Sequence, residues 1–134
     1  MGLEDTLLVA DSHPDCRETL AMALEFSGYS VCTAGSHHAA LTWLRQRTPR
    51  AVLLDMHLLG GSGLDLARVL RANPRFDRTR ILLTGTWFTP RDRAIAATTP
   101  LDGLWMKPLE LGELVRQLSL SLVTAPGADA GADA

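Results

Sequence analysis

Two carboxylates, a hydroxyl and an ammonium group each come directly after a short apolar run of the sequence. Asp11 follows LLVA, Asp55 follows AVLL, Thr84 follows ILL, and Lys107 follows a more mixed run at residues 101–106. Each residue alone has an ordinary structural explanation, because acids and hydroxyls cap helices and lysines are common at strand ends. Together they suit phosphoryl transfer, in which carboxylates hold Mg²⁺, one carboxylate acts as nucleophile, and a fixed cation neutralises charge.

The runs themselves predict the elements that would bring these groups together. Five apolar runs alternate with stretches of helical periodicity, at residues 7–10, 29–34, 51–54, 81–83 and 101–106. This alternation predicts an α/β fold of the (βα)5 type, a doubly wound five-stranded parallel sheet with helices on both faces. The first, third and fourth runs are nearly all apolar, as in central strands, and the two mixed runs predict outer strands. Ligands of such sheets bind outside the carboxyl ends of the strands, where the four groups are expected to meet.

Boundary residues predict five helices. The first begins at Pro14 and continues until Gly28, a residue that suits the end of a helix. Ser36 is a cap for the second, which Thr48-Pro49 ends because proline disfavours helical geometry in the residue before it. The other three are predicted at residues 64–72, from the Thr89-Pro90 cap onward, and at residues 110–122.

Composition limits the class of protein. The 134 residues are 46% hydrophobic and 21% charged, which is ordinary for one globular domain, expected at residues 1–123. Residues 124–134 form an Ala/Gly/Asp tract with little apolar material, which predicts a flexible tail or linker stub. A net charge of −2 offers no basic field, so no direct nucleic-acid partner is expected.

The N-terminus has no basic region and no apolar stretch approaches a bilayer's thickness, so we expect a cytoplasmic chain without a membrane partner. Cys16 and Cys32 are expected to be buried, unpaired thiols.

Four segments resemble the signature segments of response-regulator receiver domains of two-component systems, the CheY-like superfamily. They are LLVADSHPD, LLDMHLLGGSGLDL, ILLTGT and WMKPLE, in the order and spacing of that family, within a resemblance that covers residues 6–122. The resemblance implies a flavodoxin-like fold and a signal receiver. It also implies a phosphodonor, either a sensor histidine kinase or a phosphotransfer protein, and a downstream effector or output domain. A homodimer is compatible with it. The only chemistry implied is self-phosphorylation and autodephosphorylation, with no metabolic substrate.

The resemblance also assigns roles to individual residues. It implies that Asp55 is the phosphoacceptor, and that Asp11, Asp55 and the backbone carbonyl of His57 hold Mg²⁺ or Mn²⁺. Thr84 would be the switch hydroxyl, and Lys107 would contact the phosphoryl group.

Two neighbours of these residues have implied roles as well. Gly85 is small and follows the switch hydroxyl, which suits access to a phosphoaspartate. The Lys107-Pro108 bond is a candidate for the cis form, which X-Pro bonds permit at modest cost.

Two positions depart from the family pattern. Ser12 stands where the family usually has a second acid, and a hydroxyl is a weaker, uncharged ligand, so we expect weak binding of the cation. Leu104 stands at the position of the usual aromatic switch residue. Its neighbour Trp105 cannot simply replace that residue, because adjacent side chains of a strand point to opposite faces.

Histidines near the expected pocket leave two readings open. With Asp11 and Asp55, His13 and His57 could form a transition-metal site, because imidazole and carboxylate suit Zn²⁺, Mn²⁺ or Fe²⁺. Alternatively, both are solvent-facing loop residues. His37 and His38, at the start of the second helix, are also expected at the surface.

The aromatic pair Trp87 and Phe88 follows the fourth strand. Bulky aromatics are usually at least partly buried, although exposed ones would be candidate anchors for a partner.

Two hypotheses of function therefore remain. The first is a domain switched by phosphorylation of Asp55. The second is a phosphate-independent interaction module with the receiver fold, which Ser12 and Leu104 motivate. A flavodoxin-like cofactor enzyme is disfavoured, because the loop after the first strand lacks the Ser/Thr/Gly run that would cradle the phosphate of FMN.

Overall fold

The computed structural model describes residues 3–123 and contains the predicted five-stranded parallel sheet. Seven strands occur within residues 3–123, namely β1 Glu4–Ala10, β2 Val31–Ala34, β3 Pro49–Asp55, β4 His57–Leu58, β5 Gly61–Ser62, β6 Arg80–Gly85 and β7 Gly103–Met106. Five of them form this sheet, in the order β2-β1-β3-β6-β7. The helices are α1 Pro14–Phe26, α2 His37–Gln46, α3 Gly63–Arg71, α4 Pro90–Ala97 and α5 Leu111–Leu122. The two mixed runs form the outer strands, as predicted. The predicted tail at residues 124–134 lies outside the described residues.

The apolar strands bury both of their faces, which explains why they read as continuous hydrophobic runs. In β1, Leu8 and Ala10 belong to the core under α2 and α3, whereas Leu7 and Val9 belong to the core under α1 and α5. Successive side chains of a strand point to opposite faces, so one short run supplies both cores. The sheet is therefore covered on both sides, as a doubly wound fold requires.

Helix ends follow the predicted caps closely. The Ser36 hydroxyl accepts a hydrogen bond from the Ala39 amide, and Thr89 forms a reciprocal capping box with Asp92 at the start of α4. The prediction for the end of α2 was late by two residues. The helix ends at Gln46, because Arg47 already has extended backbone angles and Pro49 opens β3.

A short hairpin after β3 was missing from the predicted elements. Strands β4 (His57–Leu58) and β5 (Gly61–Ser62) pair antiparallel, and the Ser62 side chain then caps α3. Two-residue strands have too few side chains to show periodicity. The GGSG run, predicted as a simple turn, is the turn and second strand of this hairpin together with the first residue of α3.

No helix within residues 3–123 combines the length and apolar character needed to cross a bilayer.

Asp102 anchors the edge strand β7 through buried charges. Its carboxylate accepts hydrogen bonds from Arg71 at 2.9 Å, from Arg80 at 2.9 Å and from the Ile81 amide at 2.8 Å. The Arg80 side chain is only 3% exposed, and the Asp102 carboxylate helps to compensate its buried charge. The cluster joins the end of α3, the start of β6 and the segment before β7. It therefore fixes the strand from which Lys107 projects.

We expect Asp102→Ala to lower the free energy of unfolding by about 3 kcal/mol, because it removes one partner of a buried ion pair. Denaturant unfolding measures this change. The control is Asp65→Ala, which removes an exposed carboxylate 3.8 Å from Arg68 and should cost less than about 1 kcal/mol. Equal losses in the two variants would contradict a special role for the cluster.

Candidate functional site

The sheet register brings the four predicted groups to one edge. Asp55, the last residue of β3, pairs with Thr84 on β6, and Asp11 and Lys107 directly follow β1 and β7. The carboxylates of Asp11 and Asp55 are both almost fully buried. This edge lies at the switch of strand order between β1 and β3, where ligands of doubly wound sheets bind.

One ammonium group faces two buried carboxylates. The Nζ atom of Lys107 donates to Oδ2 of Asp11 at 2.8 Å and to Oδ2 of Asp55 at 3.4 Å. Two buried negative charges therefore share one positive charge. The pocket keeps a surplus of negative charge.

The environments of the two carboxyl groups shift their pKa values in opposite directions. Burial raises the pKa of Asp55, and the nearby charge of Asp11 adds to this effect, which the amide of His57 partly offsets. Burial also opposes ionisation of Asp11, but hydrogen bonds from Lys107 and the His13 amide outweigh it and lower the pKa of Asp11. Burial likewise opposes the charge of Lys107, but the two carboxylates prevail and raise the pKa of its ammonium group. Asp11 is thus the firmly ionised member of the pair.

The hydroxyl of Ser12 contacts a neighbouring loop. Its Oγ accepts a hydrogen bond from the amide of Leu59, in the turn between β4 and β5. The carbonyl of Leu59 in turn accepts from the amide of His37 at the start of α2. The hydroxyl therefore ties three loops together at this edge.

The histidines near the pocket differ in where their rings lie. The Nδ1 atom of His13 is 3.4 Å from Oδ1 of Asp11 and 3.9 Å from Oδ2 of Asp55. The ring of His57 instead packs on Trp87, with ring centroids 4.2 Å apart, and its Nε2 lies 3.2 Å from the Trp87 carbonyl oxygen. The ring of His57 is therefore turned away from the site, whereas its backbone amide donates to Oδ1 of Asp55 at 3.2 Å. The hypothesis of a site using both imidazoles was wrong for His57.

Within residues 3–123, one group of three or more Asp, Glu, His and Cys side chains is close enough to share a metal ion. It consists of Asp11, His13 and Asp55, whose ligand atoms all lie within 4.8 Å of one another.

Two other expectations about side chains need correction. Trp87 is 56% exposed, so of the aromatic pair only Phe88 is buried. His37, expected at the surface with His38, is half-buried, and its ring lies where a side chain at Gly61 would be.

Leu104 and Trp105 lie on opposite faces of β7, as expected for neighbours in a strand. Trp105 packs over Gly103 and against the core under α1 and α5, whereas Leu104 is 42% exposed. Leu104 lines an open groove of about 500 Å³ beside α4. The peptide bond after the strand, Lys107-Pro108, is cis.

Glycines shape the backbone around Asp55. A Cβ atom at Gly63 would collide with the carbonyl oxygen of Asp55, so the start of α3 can approach β3 only without a side chain there. A Cβ atom at Gly85 would press on Met56 and Phe88, each 3.0 Å away. Sequence reasoning missed Gly63, because no residue type or spacing reports which backbone it will approach.

Cys16 and Arg17 also contact Asp11 from the first turn of α1, and sequence reasoning missed both. Burial and the Asp11 carboxylate raise the pKa of the Cys16 thiol, and Arg17 donates to the Asp11 carbonyl at 2.8 Å. Both cysteines are half-buried free thiols.

Comparison with known proteins places this chain in a family. The model of the response regulator receiver domain matches residues 7–119. The probable transcriptional regulatory protein TcrX of Mycobacterium tuberculosis is 34% identical over 118 residues, which are 87% of this chain and 49% of TcrX. The chain thus spans about half the length of this relative.

Solved structures share the architecture. A putative response regulator from Chloroflexus aurantiacus is 27% identical with a TM-score of 0.80, over 90% of this chain and 98% of that one. A response regulator from Burkholderia pseudomallei, solved with a phosphorylated aspartic acid, calcium ion and citrate, is 25% identical with a TM-score of 0.76, over 90% of this chain and 69% of that one. The chain therefore belongs to the response regulator receiver domain family.

Proposed function

We propose that this domain, at residues 1–123, is a phosphorylation-dependent signal receiver. Asp55 accepts a phosphoryl group from a phosphohistidine of a sensor kinase or phosphotransfer protein, and the phosphorylated state is read by an effector. The observation that carries the proposal is that Lys107 donates to both buried carboxylates, Asp55 and Asp11, at the carboxyl edge of the sheet. The Burkholderia pseudomallei relative, which carries a phosphorylated aspartic acid, supports the same chemistry here.

Phosphoryl transfer from a donor histidine to Asp55 needs one bond to form and one to break. An oxygen of the Asp55 carboxylate attacks phosphorus, the bond from phosphorus to the donor imidazole nitrogen breaks, and that nitrogen keeps the electron pair and takes a proton. Lys107 holds its ammonium group 3.4 Å from Asp55 and would neutralise charge on the transferring group. Thr84, in register with Asp55, would offer its hydroxyl to the phosphoryl oxygens.

The donor set fits a divalent cation. Two buried carboxylates face one ammonium group, so negative charge remains for a cation of the Mg²⁺ or Mn²⁺ type to neutralise. When bound, that cation supplies charge neutralisation on the transferring oxygens. Asp11, Asp55 and the His57 carbonyl would hold it, and the loss of a carboxylate at Ser12 would make Mg²⁺ binding weak.

A phosphate-independent interaction module is the second candidate. The hydroxyl of Ser12 is committed to Leu59, and Leu104 stands exposed at the position of the expected aromatic switch. Both observations favour a domain that keeps the fold without coupling a phosphate to an output surface.

Incubation with acetyl phosphate or phosphoramidate and excess Mg²⁺ separates these two candidates. We expect intact-mass spectrometry to show one phosphoryl adduct on the wild type and none on Asp55→Asn, because the amide is not a nucleophile. Asp15→Asn, which changes an exposed acid in the first turn of α1, is the matched control and should keep the adduct. A folded wild type that forms no adduct would refute the switch and leave the interaction module.

Ser12→Asp tests whether the missing carboxylate limits the reaction. A carboxylate can still accept from the Leu59 amide and adds an oxygen ligand for Mg²⁺. We therefore expect the Mg²⁺-dependent rate of adduct formation to rise by about tenfold, a typical effect of adding or removing support at a metal site. Ser12→Ala should not raise the rate. A Ser12→Asp rate equal to that of the wild type would contradict a limiting metal site.

The burial of Asp55 also predicts a pH-dependent gain in stability for Asp55→Asn. Because burial raises the pKa of Asp55, its ionised form costs folding free energy above that pKa, and the cost vanishes below its ordinary pKa of about 4. We expect Asp55→Asn to unfold at a higher temperature than the wild type at neutral pH, with the difference shrinking as the pH falls through the raised pKa.

Thermal unfolding across this pH range, with Asp15→Asn as control, measures the effect. An Asp55→Asn variant less stable than the wild type at neutral pH would show that burial is not the dominant influence on this carboxylate.

A further inference from the structure

We propose that Asp11, His13 and Asp55 form a cation site in which the imidazole of His13 takes the place of a carboxylate ligand, so that the site prefers first-row transition-metal ions to Mg²⁺. The inference deepens the proposed function, since it concerns the cation of the same pocket. Binding of the metal itself does not require that phosphorylation occurs.

The side chain of His13 does not cap the helix that it precedes. His13 is the N-cap residue of α1, with extended backbone angles, but its side chain makes no capping hydrogen bond. Pro14 begins the helix and needs no partner for an amide proton, which removes one demand on a cap. The imidazole is 70% exposed and is therefore open to a hydrated ion arriving from solvent.

A local turn nevertheless holds the imidazole against the two carboxylates. The amide of His13 donates to Oδ1 of Asp11 at 2.9 Å, and this hydrogen bond fixes the backbone two residues after the acid. The Nδ1 atom then lies 3.4 Å from that same oxygen and 3.9 Å from Oδ2 of Asp55. Ligands about 2.0–2.2 Å from a zinc ion in a tetrahedron are about 3.4 Å apart. The imidazole nitrogen is at that spacing from Asp11 and 3.9 Å from Asp55, and the ligand atoms of all three side chains lie within 4.8 Å of one another.

The kinds of donor atom present decide which ion is preferred. Mg²⁺ demands oxygen ligands in near-octahedral geometry, and the hydroxyl that replaces a second acid, Ser12, is occupied by the Leu59 amide. One imidazole nitrogen with two carboxylates suits Zn²⁺, Mn²⁺ or Fe²⁺ instead. The same replacement that weakens a magnesium site therefore leaves a mixed nitrogen and oxygen site.

Lys107 leaves part of the pocket available to an ion. Its ammonium group binds Oδ2 of Asp11 at 2.8 Å and lies 3.4 Å from Oδ2 of Asp55, whereas Oδ1 of Asp11 accepts from the His13 amide and faces the imidazole. The two oxygens of Asp11 can thus serve a fixed cation and a bound cation separately. Two carboxylates and one ammonium leave one net negative charge when the imidazole is neutral, which favours entry of a divalent ion.

Isothermal titration calorimetry of the full chain without phosphodonor tests the proposal. Zn²⁺, Mn²⁺ and Mg²⁺ are titrated separately near neutral pH into the wild type, His13→Ala and His38→Ala. His38 is an exposed histidine on α2, so His38→Ala controls for adventitious binding of metal to surface imidazole.

We expect the wild type to bind Zn²⁺ at least about 100-fold more tightly than Mg²⁺, as expected for a site with an imidazole ligand. His13→Ala should weaken Zn²⁺ binding by about tenfold or more and leave Mg²⁺ binding within about twofold. His38→Ala should match the wild type. A Cys16→Ser variant that loses Zn²⁺ binding while His13→Ala keeps it would assign the ion to the thiol and overturn the proposal.

A spectroscopic readout on the wild type avoids dependence on the folding of a variant. Addition of Zn²⁺ should shift the imidazole ¹⁵N resonances of His13 and not those of His38. Unchanged His13 resonances at saturating Zn²⁺ would show that the imidazole does not bind the ion, and would overturn the proposal.

The outcomes also separate this proposal from the proposed function. A phosphoryl adduct on Asp55 in Mg²⁺, with Zn²⁺ binding unaffected by His13→Ala, would refute the imidazole ligand and leave the receiver function intact. A His13-dependent zinc site on a chain that forms no adduct would refute the phosphorylation switch and leave the metal site.

Discussion

The ammonium group of Lys107 lies between two carboxylates that the fold has taken out of water, and the arrangement of this edge depends on that contact. Asp11 and Asp55 follow or end adjacent central strands, so their proximity is imposed by the sheet. Two like charges so placed repel each other and are poorly solvated, which costs folding free energy. Lys107 follows the outer strand β7, which pairs with β6 up to Met106. Its ammonium group therefore reaches the two carboxylates and offsets this cost.

The contact in turn depends on how β7 is held. An outer strand has one neighbour only, and β7 also exposes part of its hydrophobic surface. The buried pairing of Asp102 with Arg71 and Arg80 joins the segment before β7 to α3 and β6. An ion cluster at one end of the strand thus positions the lysine at the other end.

Loops at the carboxyl edge are tied together by polar contacts that leave little freedom around Asp55. Ser12 binds the Leu59 amide, His37 binds the Leu59 carbonyl, and Gly63 lets α3 approach the Asp55 carbonyl. Ser12 thus contributes a loop contact at this edge. These contacts restrain the loops beside the pocket, and the imidazole of His13 lies next to its two carboxylates.

The sequence by itself determined the doubly wound sheet, its outer strands, the helix caps and the four strand-end groups. These features rest on short-range properties, namely hydrophobic periodicity, capping residues and the end of each apolar run. Tertiary structure alone decided that the ring of His13 faces the carboxylates whereas that of His57 packs on Trp87, that Ser12 binds a loop amide, and that Gly63 must lack a side chain. These outcomes depend on side-chain rotamers and on approach between segments far apart in the chain, which spacing along one sequence does not encode.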